Sequence, residues 1–134
     1  MAITLTTTAR NGACDGVVNL ANGGTLLIRE GTTTLASATL ESNAFEAAGT
    51  NAAGAARAIG DDGSAVVSSG NPIVASVTTD GTADGFQVKD SGGTLLWSGS
   101  VTVTGGGGEM TLSSVLLVAG GKVNITSWTY TQPS

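Results

Sequence analysis

The sequence predicts an all-β fold, an antiparallel β-sandwich or jelly-roll-like barrel with a short N-terminal helix, on three observations. From Thr25 onward apolar residues recur with a period of two in short runs, the spacing that places alternate side chains on opposite faces of a strand. Glycine-containing turns separate these runs, several of them short enough for hairpins. Only one stretch, near the N-terminus, carries apolar residues at helical spacing. A length of 134 residues suits one compact unit, so 1–134 reads as a single β domain.

In chain order, Ile3 and Leu5 alternate with Thr4 and Thr6 in a strand-like lead. Thr7–Asn22 then predicts a helix, with Thr7 or Thr8 as cap and Ala9, Ala13, Val17, Leu20 and Ala21 near one stripe. Gly12 and Gly16 each weaken it by about 0.5–1 kcal/mol relative to Ala. Asn22-Gly23-Gly24 ends it through a positive φ. Thr25–Glu30 and Thr34–Glu41 are strand runs joined by Gly31-Thr32-Thr33; in the second, Thr34, Ala36, Ala38 and Leu40 form the expected core face, opposite Leu35. Residues 42–71 are small and polar, with Phe45, Ile59, Val66 and Val67 as anchors, and read as an extended loop or arm holding one or two short strands. Ile73–Thr79 resumes the strand signal. Phe86–Asp90 and Thr94–Thr104 flank Ser91-Gly92-Gly93 as the clearest hairpin, with Leu95, Trp97, Val101 and Val103 on one face and Gly99 among them. Gly105–Gly108 reads as a flexible break before Glu109–Ser113, Val115–Ala119 and a last strand, Lys122–Thr131, stopped by Pro133.

Composition argues against catalysis. The chain has no His and one Cys, and charged residues are 11% of it, whereas active sites draw on His, Cys, Lys and clustered carboxylates. No enzyme is expected, and no cofactor or metal. The five bases, Arg10, Arg29, Arg57, Lys89 and Lys122, stand singly against ten acids, for a net charge of −5. Without a basic stripe a nucleic-acid partner is not expected. No run approaches the roughly 18 consecutive apolar residues of a membrane span, and Met1–Leu5 lacks a basic n-region, so synthesis in the cytoplasm with no membrane partner is expected. Cys14 reads as a small buried apolar residue. With aromatics at only 4% the core rests on aliphatic side chains, and assembly with other subunits would add burial.

The apparent motifs are weak. Gly105–Gly108 lacks the Lys-Ser/Thr ending of a phosphate loop and runs into Glu109 and Met110. Asp80–Gly85 imitates the start of a calcium loop, but Ser91 stands where the bidentate acid belongs, so a β-turn is expected. Asp61-Asp62-Gly63 reads as a solvated turn. A glycosidase pair among Glu30, Glu41, Glu46 and Glu109 would need two carboxyls about 5–10 Å apart, which linear order does not supply. Trp128 and Tyr130 alternate away from Val123, Ile125 and Ser127 on the last strand. They are either covered by the helix or the 42–71 arm, or form an inter-subunit patch, where Trp and Tyr dominate contact energies. Trp128, Tyr130 and Phe45 are therefore the candidate interface residues.

The run Leu5-Thr6-Thr7-Thr8-Ala9-Arg10-Asn11, the segment Gly24–Arg29, Phe86-Gln87-Val88-Lys89-Asp90-Ser91-Gly92-Gly93 and the ending Ile125–Pro133 together resemble small virion structural proteins of tailed bacteriophages. The likeness spans nearly the whole chain, and its motifs are structural rather than chemical; Gly12 and Gly16 depart from it by interrupting the helix. The resemblance implies a head decoration, or cement, protein on the capsid exterior of the virion. Such a protein binds the major capsid protein, bridges capsomers and works as a homo-oligomer, a dimer or trimer. Its contact elements would be the N-terminal segment, residues 42–71 and the 105–108 loop. A tail or tail-fibre component shares this composition. A carbohydrate-binding module would instead require an exposed aromatic platform at Trp97 or Trp128.

Overall fold

A computed structural model describes residues 6–40, 45, 48–49, 73–125 and 128–131, and the backbone of 55–57. Helix α1 spans Thr7–Leu20. Its cap is Thr6 rather than Thr7 or Thr8: Thr6 is extended, and its hydroxyl accepts a hydrogen bond from the Ala9 N–H at 3.2 Å. Gly23, at φ +71°, turns the chain out of the helix as expected. The buried face is Cys14, Val18 and Ala21, about a quarter turn from the predicted stripe, and Leu20 is 57% exposed. The stripe was mostly alanines, which offer little area to bury, so the larger Val18 with Cys14 sets the face. Gly12 and Gly16 fall on the opposite, exposed side, where an added Cβ meets nothing within 4 Å. Gly12→Ala and Gly16→Ala are each expected to raise stability by about 0.5–1 kcal/mol, read as a rise in Tm of a few degrees.

The strands are β1 (Thr25–Glu30), β2 (Thr33–Thr39), β3 (Ala55–Arg57), β4 (Ile73–Val77), β5 (Gly81–Thr82), β6 (Gly85–Lys89), β7 (Leu95–Val103), β8 (Met110–Leu112), β9 (Leu116–Leu117), β10 (Lys122–Ile125) and β11 (Thr129–Thr131). Seven form one sheet in the order β10-β4-β2-β1-β6-β7-β8, while β11 pairs with β3 and β5 with β9. Among the described residues the fold is all-β with one short helix, and the large sheet is nearly closed into a barrel. Its two edges meet at an antiparallel bridge between Met110 of β8 and Trp128, just past the end of β10. The core is aliphatic, with Leu26, Ile28, Leu35, Val88 and Ile125 fully buried, each contributing about 1.5–3 kcal/mol.

Three local departures from the predicted pattern have identifiable causes. Ile28 pairs with Ala36 but Arg29 with Thr34, so Leu35 is the extra residue of a β-bulge. The bulge turns Leu35 inward beside Ala36, and both are fully buried, although alternation placed Leu35 outside. A second register shift, between Val88 and Lys89, skips Leu96 and leaves Leu95 exposed at 49%. Gly105–Gly108, expected as a flexible break, forms a mostly exposed loop that carries the chain back and lays β8 parallel to β7, Val101 opposite Met110, with Gly106 and Gly108 against Thr102. Gly105 and Gly107 take φ of +88° and +81°; a Cβ on Gly106 or Gly108 would lie within 2.9 Å of the Thr102 side chain. Of the predicted 42–71 arm, most lies outside the described residues. The described parts lie against the domain: Phe45 is buried, the Ala48 N–H donates to the Asp15 carboxylate at 2.7 Å, and β3 pairs with β11.

Candidate functional site

The fold gathers all five aromatic residues of the chain, spread from position 45 to 130, into one cluster at the barrel seam. Phe86 comes from β6, Trp97 from β7, Tyr130 from β11, and Trp128 from the bridge that joins the sheet edges. Trp128 meets Phe45 edge-on at 5.1 Å between ring centroids and Phe86 at 5.6 Å. Trp97 lies 6.2 Å from Trp128, 5.9 Å from Phe45 and 4.8 Å from Tyr130. Such pairs contribute about 0.5–1.5 kcal/mol beyond their burial.

Among the predicted interface residues, Phe45 and Trp128 are 4% and 3% exposed, inside the chain's own core rather than on a surface patch. The alternation that buries Val123 and Ile125 does not carry through to Trp128, because the bridge to Met110 directs this position into the seam. Tyr130 is half-buried beside Trp97.

Above the cluster opens a cleft of about 490 Å³, a size that suits a small ligand. Phe86 and Trp128, both buried, and the half-buried Trp97 and Tyr130 give it an aromatic wall; Ser98–Ser100 of β7 flank one side and Thr129–Thr131 of β11 the other. Exposed Glu109 completes the rim, and its backbone N–H donates to the Ser100 hydroxyl oxygen at 3.2 Å. Gly99 sets this geometry, since a Cβ there would lie 2.6 Å from the Phe86 ring and 3.0 Å from the Glu109 Cβ. Of the residues that shape this cleft, Phe86 and Gly99 are assigned no site role from sequence, and Glu109 enters there only as a possible member of a glycosidase pair. The available signal was a glycine amid apolar residues in mid-strand, which marks a close approach.

A second constellation is structural. Asp80 and Asp84, the acids of the calcium-like segment, accept hydrogen bonds from backbone N–H groups, Asp80 from Ala119 at 2.7 Å and Asp84 from Gly31 at 3.0 Å. Together with Ala83 N–H to Val115 C=O and Gly120 N–H to Val77 C=O they brace the loops at the end of the barrel that holds the β1–β2 turn. No group of three or more potential metal ligands occurs among the described residues.

Cys14 is fully buried, and its thiol donates weakly to the Tyr130 carbonyl at 4.0 Å. Burial pushes the thiol pKa above its ordinary 9.0, with Asp15 adding and Arg10 opposing. Burial also raises the Tyr130 phenol above 10.0, with a smaller push from Cys14. Both folded-state pKa values exceed the unfolded ones, so their contribution is full below about pH 9 and is lost as pH rises through them. Tm is therefore expected to fall from about pH 9 upward, and the fall should be shallower in a Cys14→Ala, Tyr130→Phe variant. Comparison with family models, with curated proteins and with solved structures finds no match for this chain.

Proposed function

We propose that this chain is a decoration, or cement, protein of a tailed-phage head, binding the major capsid protein on the outer shell and bridging capsomers as a dimer or trimer. The observation that carries the reading is the braced end of the barrel, which holds large aliphatic side chains out to solvent: Leu116 is 71% exposed, Val118 67% and Val103 47%. Because the loops are held by their own hydrogen bonds, docking them orders little new chain and costs little entropy. A lattice then repeats a modest contact many times, and multivalency turns weak contacts into firm attachment. The phage-like segments support the same reading, and they are adjacent in the fold: Gly24–Arg29 and Phe86–Gly93 contribute the paired strands β1 and β6.

Thermal release of DNA from particles carrying and lacking the chain tests the proposal. Decorated particles should retain DNA to a higher temperature. Leu116→Asp with Val118→Asp should lower occupancy while leaving the Tm of the isolated protein unchanged. Equal release temperatures with no capsid occupancy would reject the reading.

A further inference from the structure

We infer that the aromatic cleft is a binding site for the ring of a neutral sugar, a site separate from the braced end assigned above to capsid contact. The cleft joins two features that a pyranose requires. A sugar ring has an apolar face of C–H groups and an edge of hydroxyls, and it is held by an aromatic wall flanked by hydrogen-bonding groups. Trp97 and Tyr130, half-buried and 4.8 Å apart with their planes inclined at 52°, supply two adjoining aromatic faces against which one sugar ring can rest. Around it stand the exposed carboxylate residue Glu109 and a hydroxyl-rich rim, Ser98 and Ser100 on one side and Thr129 and Thr131 on the other.

The same geometry argues against an ammonium ligand. A cation cage needs aromatic faces spread around an empty centre, with the charge within about 6 Å of each ring. Here the rings touch one another at centroid separations of 4.8–6.2 Å, which leaves a wall and no cage. The volume of about 490 Å³ accommodates one sugar unit with room for a second, in a cleft open for a longer glycan to continue. Gly99 is what keeps the floor low: its missing side chain is the space into which the Phe86 ring fits.

Both tryptophans of the chain line this cleft, so intrinsic fluorescence reports on it alone. The test is titration of the intact protein with glucose, galactose, mannose and N-acetylglucosamine, with mannitol as an acyclic control that has the hydroxyls but no ring. At least one of the sugars should shift the tryptophan emission saturably, and mannitol should not. Trp97→Ala should weaken binding about tenfold or more, and Glu109→Gln, at an exposed rim position, by about threefold to tenfold. Amide chemical-shift changes in the unaltered protein should map to residues 97–100, 109 and 128–131, which keeps the test decisive if Trp97→Ala fails to fold. No saturable response to any of the four sugars, an equal response to mannitol, or shift changes centred elsewhere would overturn the assignment. A failure here leaves the capsid reading standing, since that rests on Leu116, Val118 and Val103.

Discussion

Trp128→Ala is expected to remove about 3–5 kcal/mol of stability, the cost of emptying a buried tryptophan site. Single domains hold only about 5–15 kcal/mol in all, so the variant should be largely unfolded at modest denaturant concentrations. Trp128 touches Phe45, Phe86 and Trp97 at once, and its backbone forms the bridge to Met110 that draws the two sheet edges together. Truncation therefore takes away the wedge at the seam as well as buried area. Trp128→Phe, which keeps a ring against Phe45 and Phe86, should recover part of the loss. Equilibrium denaturation of the three proteins checks the ordering, and a loss below about 1 kcal/mol for the alanine variant would show that the seam is not held by this side chain.

Gly24→Ala is expected to be nearly as damaging, by about 3 kcal/mol, the upper end of the range for overpacking. An alanine Cβ at this position would sit 2.1 Å from the Lys89 carbonyl oxygen and 3.0 Å from the Ala21 carbonyl oxygen. Both obstacles are backbone, so no rotamer change relieves them. The only relief is to move the start of β1 away from the end of β6, where Thr25 pairs with Lys89. Gly24 is also tied to both neighbours, its N–H to Ala21 C=O at 2.9 Å and its C=O accepting from the Leu40 N–H at 2.8 Å. Gly23→Ala makes an informative contrast: φ is +71° but the space is open, so only the conformational penalty of about 1–2 kcal/mol applies. Thermal melts of the two variants should separate them by several degrees, with Gly24→Ala the lower.

Much of this fold is legible in the sequence because local chemistry decides it. The period-two run Thr25–Glu30 is β1 to the residue. Ser91-Gly92-Gly93 is the predicted hairpin turn, with the Asp90 carboxylate accepting from the Gly92 and Thr94 N–H groups at 2.9 Å and Gly93 at φ +88°. Cys14 is buried as its size and polarity predict. What local chemistry does not decide is where one strand slips against another. The bulges at Leu35 and Leu96 exist only relative to partner strands: the first buries Leu35 while Ala36, Ala38 and Leu40 stay inside as expected, and the second leaves Leu95 exposed although Trp97 is half-buried. The parallel placement of β8 is likewise a tertiary outcome, although the four glycines that permit it stand in plain view. The cleft was the least legible part. Five aromatics dispersed over 86 positions carry no pairing signal of their own, and the inward turn of Trp128 follows from closure of the barrel.

The proposal that this chain works by contact on a phage head is tested by reconstructing phage particles assembled in its presence, at a resolution sufficient to trace strands. On this proposal, density for the barrel is expected on the outer shell at junctions between capsomers, in two or three symmetry-related copies, with the end bearing Leu116 and Val118 against the major capsid protein. Density for the barrel along the tail, or a shell with no such density, would contradict it.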